Sequence, residues 1–259
     1  MRSAAGERYF LESLDRGLAV LECFDEQHRE RTLSEVAQVV GITRSTTRRI
    51  LLTLVDLGFL RQEGRRFMLT PRVLRFGFSY LSGLALPQLA EPHLAKLAAE
   101  LEETVSVTVL DGSDALYVAR VRSPRIVRIA ISVGMRFPAY ATSHGRVLLS
   151  GLTADELDRY LETTELRAFT EQTLVDPDRL RAEILTTAER GWALSEDELE
   201  LGVRGVAVPI RDRTGRIVAA LNSSLQNIAH SGADVEARVV SRLQEAAQRI
   251  GADLAISGP

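Results

Sequence analysis

The stretch TLSEVAQVVGITRSTTRRILLTLVDLGFL, residues 32–60, constrains this chain more than any other. Thr32 and Glu35 have the spacing of a capping box, in which each side chain satisfies a backbone N–H left open at a helix start. Leu33, Val36, Ala37 and Val40 then form one inward face. Gly41 ends this short helix, because glycine enters the left-handed conformation of a sharp turn without steric cost. Thr43 caps a second helix over about 44–57. On it Thr47, Ile50, Leu51, Leu54 and Leu57 face one way, while Arg44, Ser45, Arg48 and Arg49 face largely the other. Two short helices joined by a tight glycine turn form a helix-turn-helix pattern.

The flanking sequence extends that pattern. Leu11, Leu14, Leu18, Leu21 and Phe24 recur at helical spacing over 10–26 and predict a preceding helix. Residues 59–62 and 66–70 read as strands joined at Glu63-Gly64, a basic hairpin or wing. Charge follows the same division. Residues 1–82 hold 13 Arg against 10 Asp and Glu, a balance of +3, whereas the remainder holds 19 basic and 25 acidic residues, a balance of −6. A solvated cationic face would account for the arginines alone. The preceding helix, the glycine turn and the wing point instead to a double-stranded DNA partner. Arginine's planar fork fits guanine's major-groove acceptors, and hydroxyls fit phosphates. The candidate DNA-binding residues are Thr43, Arg44, Ser45, Thr46, Arg48 and Arg49 on the helix, with Arg65 and Arg66 on the wing.

At 259 residues, 45% hydrophobic and 26% charged, the chain has room for two globular domains. No apolar run approaches the roughly 20 residues of a membrane span, and the first residues show no export signal. The single Cys23 and four histidines fit a reducing cytoplasm and predict neither a metal site nor a cofactor. Residues 70–87 predict an amphipathic linker helix ending at Pro87, with Val73, Leu74, Phe76, Phe78, Leu81 and Leu84 available for burial against another domain or a second subunit. Beyond it come a helix over 88–102, two strands around Asp111-Gly112, a strand over 125–133 and a helix from about 143. Helices over 153–163 and 177–190, a strand with an acidic loop, a hairpin turning near 213–215 and a helix over 233–254 complete the order. Runs of strands with helices between them indicate an α+β domain with a mostly antiparallel sheet. The expected domains are therefore 1–70, a winged helix-turn-helix, and 87–259, with 71–86 as linker or dimerisation helix. The acidic run at 195–200, SEDELE, is expected to be a solvated loop.

Four ordered motifs, LESLDRGLAVLECF, the 32–60 stretch, AYATSHGRVLLSG and GWALSEDELELGVRGVAVPIRDRTGRIVAAL, span nearly the whole chain and resemble the IclR family of bacterial transcriptional regulators. RFPAYATSHGRVLLS is similar to the subgroup controlling aromatic-acid catabolism through the β-ketoadipate pathway. The resemblance implies a winged helix, a dimerising linker helix and a GAF-like effector domain. It also implies a homodimer or homotetramer on a palindromic operator, repressing or activating. Carried onto matching positions, the effector pocket would be lined by Ile126, Phe137, Ser143, His144, Ser195, Gly205, Asn222 and Ser224.

Chemistry is compatible with that pocket. Ser143 and His144 open a helix whose N–H groups favour a carboxylate. Phe137 and Tyr140 would flank an aromatic ring, and Arg128 shares strand parity with Ile126 and would pair with an acid in bidentate fashion. The implied effectors are protocatechuate, 4-hydroxybenzoate or β-ketoadipate, with a glyoxylate-type small acid as the alternative. A satisfied core histidine at 144 and a surface arginine at 128 are the competing readings. An enzyme built on the α+β domain is the rival function. The sequence has no G-x-S-x-G elbow and no phosphate loop, and adjacent helical residues such as Ser143 and His144 diverge by about 100°. No catalytic residue is assigned.

Overall fold

The structure is a computed structural model that describes residues 10–25, 27–83, 85–122, 131–226 and 233–257. It divides into two compact units, one up to Tyr80 and one from Leu81.

In the first unit, helices α1 (Glu12–Glu22), α2 (Leu33–Val40) and α3 (Arg44–Asp56) pack with strands β1 (Glu30–Thr32), β2 (Leu60–Glu63) and β3 (Arg66–Leu69). The strands form an antiparallel sheet ordered β1-β3-β2. The capping box is present in both directions at Thr32 and Glu35, Gly41 adopts φ +70°, and the Thr43 side chain accepts from the Thr46 N–H. Val20, Cys23, Phe24, Val36, Leu51, Leu54, Leu60 and Phe67 form the core. Thr47 is fully buried because its hydroxyl donates 2.9 Å to the Thr43 carbonyl.

Four features differ from the sequence reading. The α1 stripe divides: Leu11, Leu14 and Leu18 are exposed, while Leu21 and Phe24 pack into the core beside Val20 and Cys23. Leu57 is exposed as well, one residue beyond the end of α3. β1 was not anticipated. Its sequence, Glu-Arg-Thr, is polar, and only pairing with β3 makes it a strand. After the wing, a 3₁₀ turn (Pro71–Val73) leads into α4 (Leu74–Gly83). α5 (Ala85–Leu101) starts ahead of Pro87 rather than after it. Proline is tolerated there because the first N–H groups of a helix have no partner in the helix. The side chains of Phe78, Leu81 and Leu84 lie outside the described residues.

The second unit is built on one antiparallel sheet. Its strands are β4 (Thr104–Asp111), β5 (Asp114–Val121), β6 (Arg136–Pro138), β7 (Ala193–Glu196), β8 (Val203–Arg211) and β9 (Ile217–Gln226), in spatial order β6-β5-β4-β9-β8-β7. Short helix α6 (Ser143–Leu149) follows a 3₁₀ turn (Ala139–Ala141). Next come α7 (Ala154–Thr163) and α8 (Pro177–Arg190), and α9 (Ala233–Ser257) closes the order. The strand expected over 125–133 falls mostly outside the described residues, and 131–133 is not strand.

Alternation gives the sheet two unlike faces. Val105, Val107, Val206, Val208, Ile210, Ala219 and Leu221 pack on Leu94, Leu97, Leu243 and Ile250 of α5 and α9. The opposite face is small and polar. Across it run Thr104, Ser224, Gly205 and Ser195, then Arg120, Ser106, Asn222 and Ala207, then Tyr117, Thr108 and Ala220. A bulge between Val107 and Thr108 inserts a residue into β5. Tyr117 and Arg120, three apart, therefore share that face.

α6 lies over the polar face. A Cβ on its Gly145 would sit 2.1 Å from the Ala139 carbonyl oxygen, so helix and 3₁₀ turn meet backbone to backbone. Gly145→Ala is expected to destabilise the unit by about 3 kcal/mol or more, since neither contacting atom belongs to a flexible side chain. Urea denaturation followed by far-UV circular dichroism measures this.

Candidate functional site

Two clusters of polar groups stand out, one in each unit. In the first, Arg44 and Arg48 of α3 and Arg65 at the wing tip line one groove of about 420 Å³ with Ser34, Gln62 and Gly64. Their shared exposure follows from the three-to-four residue spacing on α3 and from the hairpin turning back beside it. Thr43 is occupied with the helix start: its hydroxyl lies 3.1 Å from Ser45 Oγ and donates 3.0 Å to Thr46 Oγ1. Thr46 and Arg49 do not join the groove of Arg44 and Arg48. They line a separate groove between α1 and α3, together with Leu14, Leu18, Leu57 and Phe76. Arg66 forms an ion pair of 3.0 Å with Glu30 of β1.

The second cluster lies between the polar sheet face and the first turn of α6. Thr142 caps that helix, its hydroxyl accepting 3.1 Å from the Gly145 N–H. The Ser143 N–H donates 3.2 Å to Ser195 Oγ. A Cβ on Gly205 would lie 2.7 Å from Ser143 Oγ and 3.1 Å from Ser195 Oγ, so the missing side chain is what admits α6 here. His144 is buried, with its ring edge-on to Tyr117 at 5.1 Å, and Phe137 meets the same tyrosine edge-on at 5.9 Å. Ser143 Oγ, His144 Nε2, Asn222 Oδ1 and Thr108 Oγ1 are all buried without a hydrogen-bond partner. Such groups cost about 1–3 kcal/mol each unless water or another molecule meets them.

Of the residues singled out from the sequence, Phe137, Ser143, His144, Ser195, Gly205, Asn222 and Ser224 converge on this region, Ser224 standing opposite Thr104 and Gly205 in the sheet. Tyr140 does not. It packs in a separate core with Leu149, Leu157 and Ile184, and its hydroxyl exchanges bonds of 2.8 and 2.9 Å with the Arg167 backbone. Ile126 and Arg128 lie outside the described residues. Sequence reasoning missed Thr108, Tyr117 and Arg120. The alternation of Thr104, Ser106 and Thr108 with valines in TVSVTV was the available signal for a polar inner face.

What holds α6 in place is itself ionic. Arg146 and Glu198 are both buried and form an ion pair of 2.5 Å. Arg146 Nε also donates 3.1 Å to the Tyr140 carbonyl, and Glu198 accepts 3.1 Å from the Leu174 N–H. Thr170 and Thr173 donate to the carbonyls of Asp197 and Glu198, both at 2.6 Å. The acidic run is thus not the solvated loop expected; its middle is tied to the protein interior.

Among the described residues, no group of three or more His, Cys, Asp or Glu side chains could hold a metal ion. No described helix is long and apolar enough to cross a membrane. Burial alone depresses the His144 pKa from 6.5 to about 3.

Comparison with known proteins covers both units. Residues 13–64 match the IclR helix-turn-helix domain, and residues 78–252 match the bacterial transcriptional regulator IclR C-terminal domain. The Pca regulon regulatory protein of Pseudomonas putida is 40% identical over 225 residues, covering 86% of this chain and 77% of its own. The crystal structure of a transcriptional regulator from Rhodococcus sp. RHA1 superposes with a TM-score of 0.82 at 47% identity, covering 96% of this chain and all of the other. An IclR homologue from Microbacterium hydrocarbonoxydans, crystallised in complex with 4-hydroxybenzoate, has a TM-score of 0.80 at 26% identity, with 95% and 100% of the two chains covered.

Two measurements check the site. A histidine whose folded pKa lies below its unfolded value leaves the unfolded chain binding more protons between the two, so stability falls as pH drops below about 6.5. Denaturation at pH 7.5 and pH 5.0 should differ through His144 by about 2 kcal/mol, and His144→Gln should remove that component. Glu198→Ala strands a buried arginine and should cost about 3–5 kcal/mol, whereas replacing Arg146 and Glu198 together by Met and Leu should recover most of it. The architecture, the two matched domains and the similarity to characterised regulators agree: this chain belongs to the IclR family of bacterial transcriptional regulators.

Proposed function

We propose that this regulator senses a small aromatic carboxylic acid of the 4-hydroxybenzoate or protocatechuate type and controls genes for its breakdown. The observation that carries the reading is the convergence of four buried, unpartnered polar atoms with two aromatic rings beneath α6. Those groups suit a ring bearing polar substituents. The Pca regulon regulatory protein and the 4-hydroxybenzoate complex of the Microbacterium hydrocarbonoxydans homologue support it.

In this reading residues 1–70 hold the operator, 71–86 link and dimerise, and 87–259 bind the effector. Arg44, Ser45 and Arg48 face the DNA major groove, and Arg65 contacts the flanking backbone. Thr43 and Thr46 set the helix start, while Arg49 and the ion-paired Arg66 lie at the edge. The exposed apolar surfaces of α1 and α4, including Leu14, Leu18, Leu74 and Phe76, support a homodimer. Effector binding acts through its different affinity for two arrangements of that dimer, a coupling of about 1–3 kcal/mol. The protein works in the cytoplasm, without catalysis.

A gel-shift titration on the DNA upstream of its own gene tests the reading. The full chain should bind with a steep salt dependence, and 4-hydroxybenzoate or protocatechuate should shift the affinity about 5- to 150-fold. Arg48→Ala should weaken binding by about 1–3 kcal/mol, lowering affinity about 5- to 150-fold. No binding to that fragment, or binding indifferent to every aromatic acid, would overturn it.

A further inference from the structure

Resting on that reading, we infer that Arg120, rather than the helix N-terminus or Arg128, is the residue that selects for the effector's carboxylate. Arg120 sits near the end of β5, directly opposite Ser106 of β4, and Ser106 in turn stands opposite Asn222 of β9. The three form one row on the polar face. Arg120 and Asn222 are two strand spacings apart, about 10 Å, and only the short Ser106 stands between them.

The β5 bulge is what brings this cation inward. Without it, Tyr117 and Arg120 would point to opposite faces. With it, Val118 and Ala119 both go to the apolar core, while Tyr117 and Arg120 turn to the side carrying His144, Thr108 and Asn222.

Arg120 lacks the partner its position demands. Its Nε and Nη1 atoms are buried and without a hydrogen-bond partner among the described residues. Burial disfavours its charged form, and the nearby cation Arg122 adds to that rather than relieving it. Arg146 offers the contrast: in the same unit, its guanidinium is paired with Glu198 and with a main-chain carbonyl. A guanidinium does not deprotonate in proteins, so a half-buried one with open donors calls for an anion from outside the fold. A carboxylate meets the fork with two parallel hydrogen bonds and, unlike a phosphate, brings a single charge to a partly buried site.

The remaining groups give the occupant its shape. Tyr117, His144 and Phe137 present ring edges and faces beside the row. His144, being neutral, cannot compete with Arg120 as the anion's counter-charge. Asn222 Oδ1 and Thr108 Oγ1 are acceptors suited to a hydroxyl at the other end of a ring. The fitted class is a hydroxylated aromatic monocarboxylate with its acid toward β5 and its hydroxyl toward β9.

Isothermal titration calorimetry on the full chain, with 4-hydroxybenzoate and its neutral amide, 4-hydroxybenzamide, tests this. The native protein should prefer the acid about 10- to 100-fold, the range for hydrogen bonds to a charged group. Arg120→Gln should bring that ratio close to one while keeping the amide's affinity, which reports an intact pocket. Arg120→Lys should restore part of the preference, and Arg122→Gln, on an exposed residue bonded to the Ile131 carbonyl, should leave it unchanged. If Arg120→Gln bound the acid as tightly as the native protein, or lost acid and amide in equal proportion, the assignment would be wrong and aromatic-acid sensing would stand. If the native protein bound neither probe, the sensing reading would fail and this inference with it.

Discussion

The second unit depends on the seating of one short helix. α6 has seven residues, all buried, and a helix of that length has no stability of its own in water. Its position is set entirely by what it touches: the backbone of 139 against Gly145, Thr142 at its start, and Arg146 reaching into Glu198. Each of these contacts has little slack. A backbone-to-backbone approach cannot slide, and a buried ion pair cannot lengthen without leaving a desolvated charge. The first turn of α6, resting on Gly205 and Ser195, is therefore a fixed roof over the polar sheet face.

Local rules made the first unit legible. The capping box at Thr32 and Glu35, the left-handed Gly41 and the Thr43 cap are each decided within four residues, and all three are present. The α1 stripe shows where such rules stop. Periodicity identifies Leu11, Leu14 and Leu18 as lying on one side of a helix, yet it says nothing about what covers that side. The burial of Val20, Cys23 and Phe24 draws the far end of the stripe inward and leaves Leu11, Leu14 and Leu18 at the surface. Likewise β1 owes its existence to β3, thirty-odd residues away in sequence, and three polar residues carry no signal of that pairing.

In the second unit most of the order of helices and strands was legible, though not the short edge strand β6, and the site was so only in part. Ser143, His144, Gly205 and Asn222 could be placed through family resemblance. Strand parity points to Arg128, which lies outside the described residues, while parity alone would put Tyr117 and Arg120 on opposite faces. A bulge changes parity partway along β5, and nothing in DALYVARV announces it. Tyr140 was mistaken for a ring-flanking group because it neighbours the pocket in sequence, whereas its hydroxyl is committed to Arg167. Glu198 hides in a run of acidic residues. Only the third dimension shows that one carboxylate of the run goes inward to meet Arg146.

The unpartnered atoms beneath α6 also decide what kind of discrimination the site can achieve. A pocket whose polar groups are all satisfied internally reads shape, and shape distinguishes a single methylene by only about 1–3 kcal/mol. A pocket with buried donors and acceptors left open penalises any occupant that fails to meet them, by as much as about 10⁴- to 10⁵-fold in the strongest cases. If the proposed effector sits against Ser143, His144, Thr108 and Asn222, this chain falls in the second class. Their cost in the folded protein is tolerable because α6 is held by other contacts, through Arg146, Gly145, the Ser143 N–H on Ser195, and Val147 and Leu148 packed on the sheet alanines. Anchoring and recognition thus fall to neighbouring residues of one turn, Gly145 and Arg146 fixing the backbone from which Ser143 and His144 face the sheet.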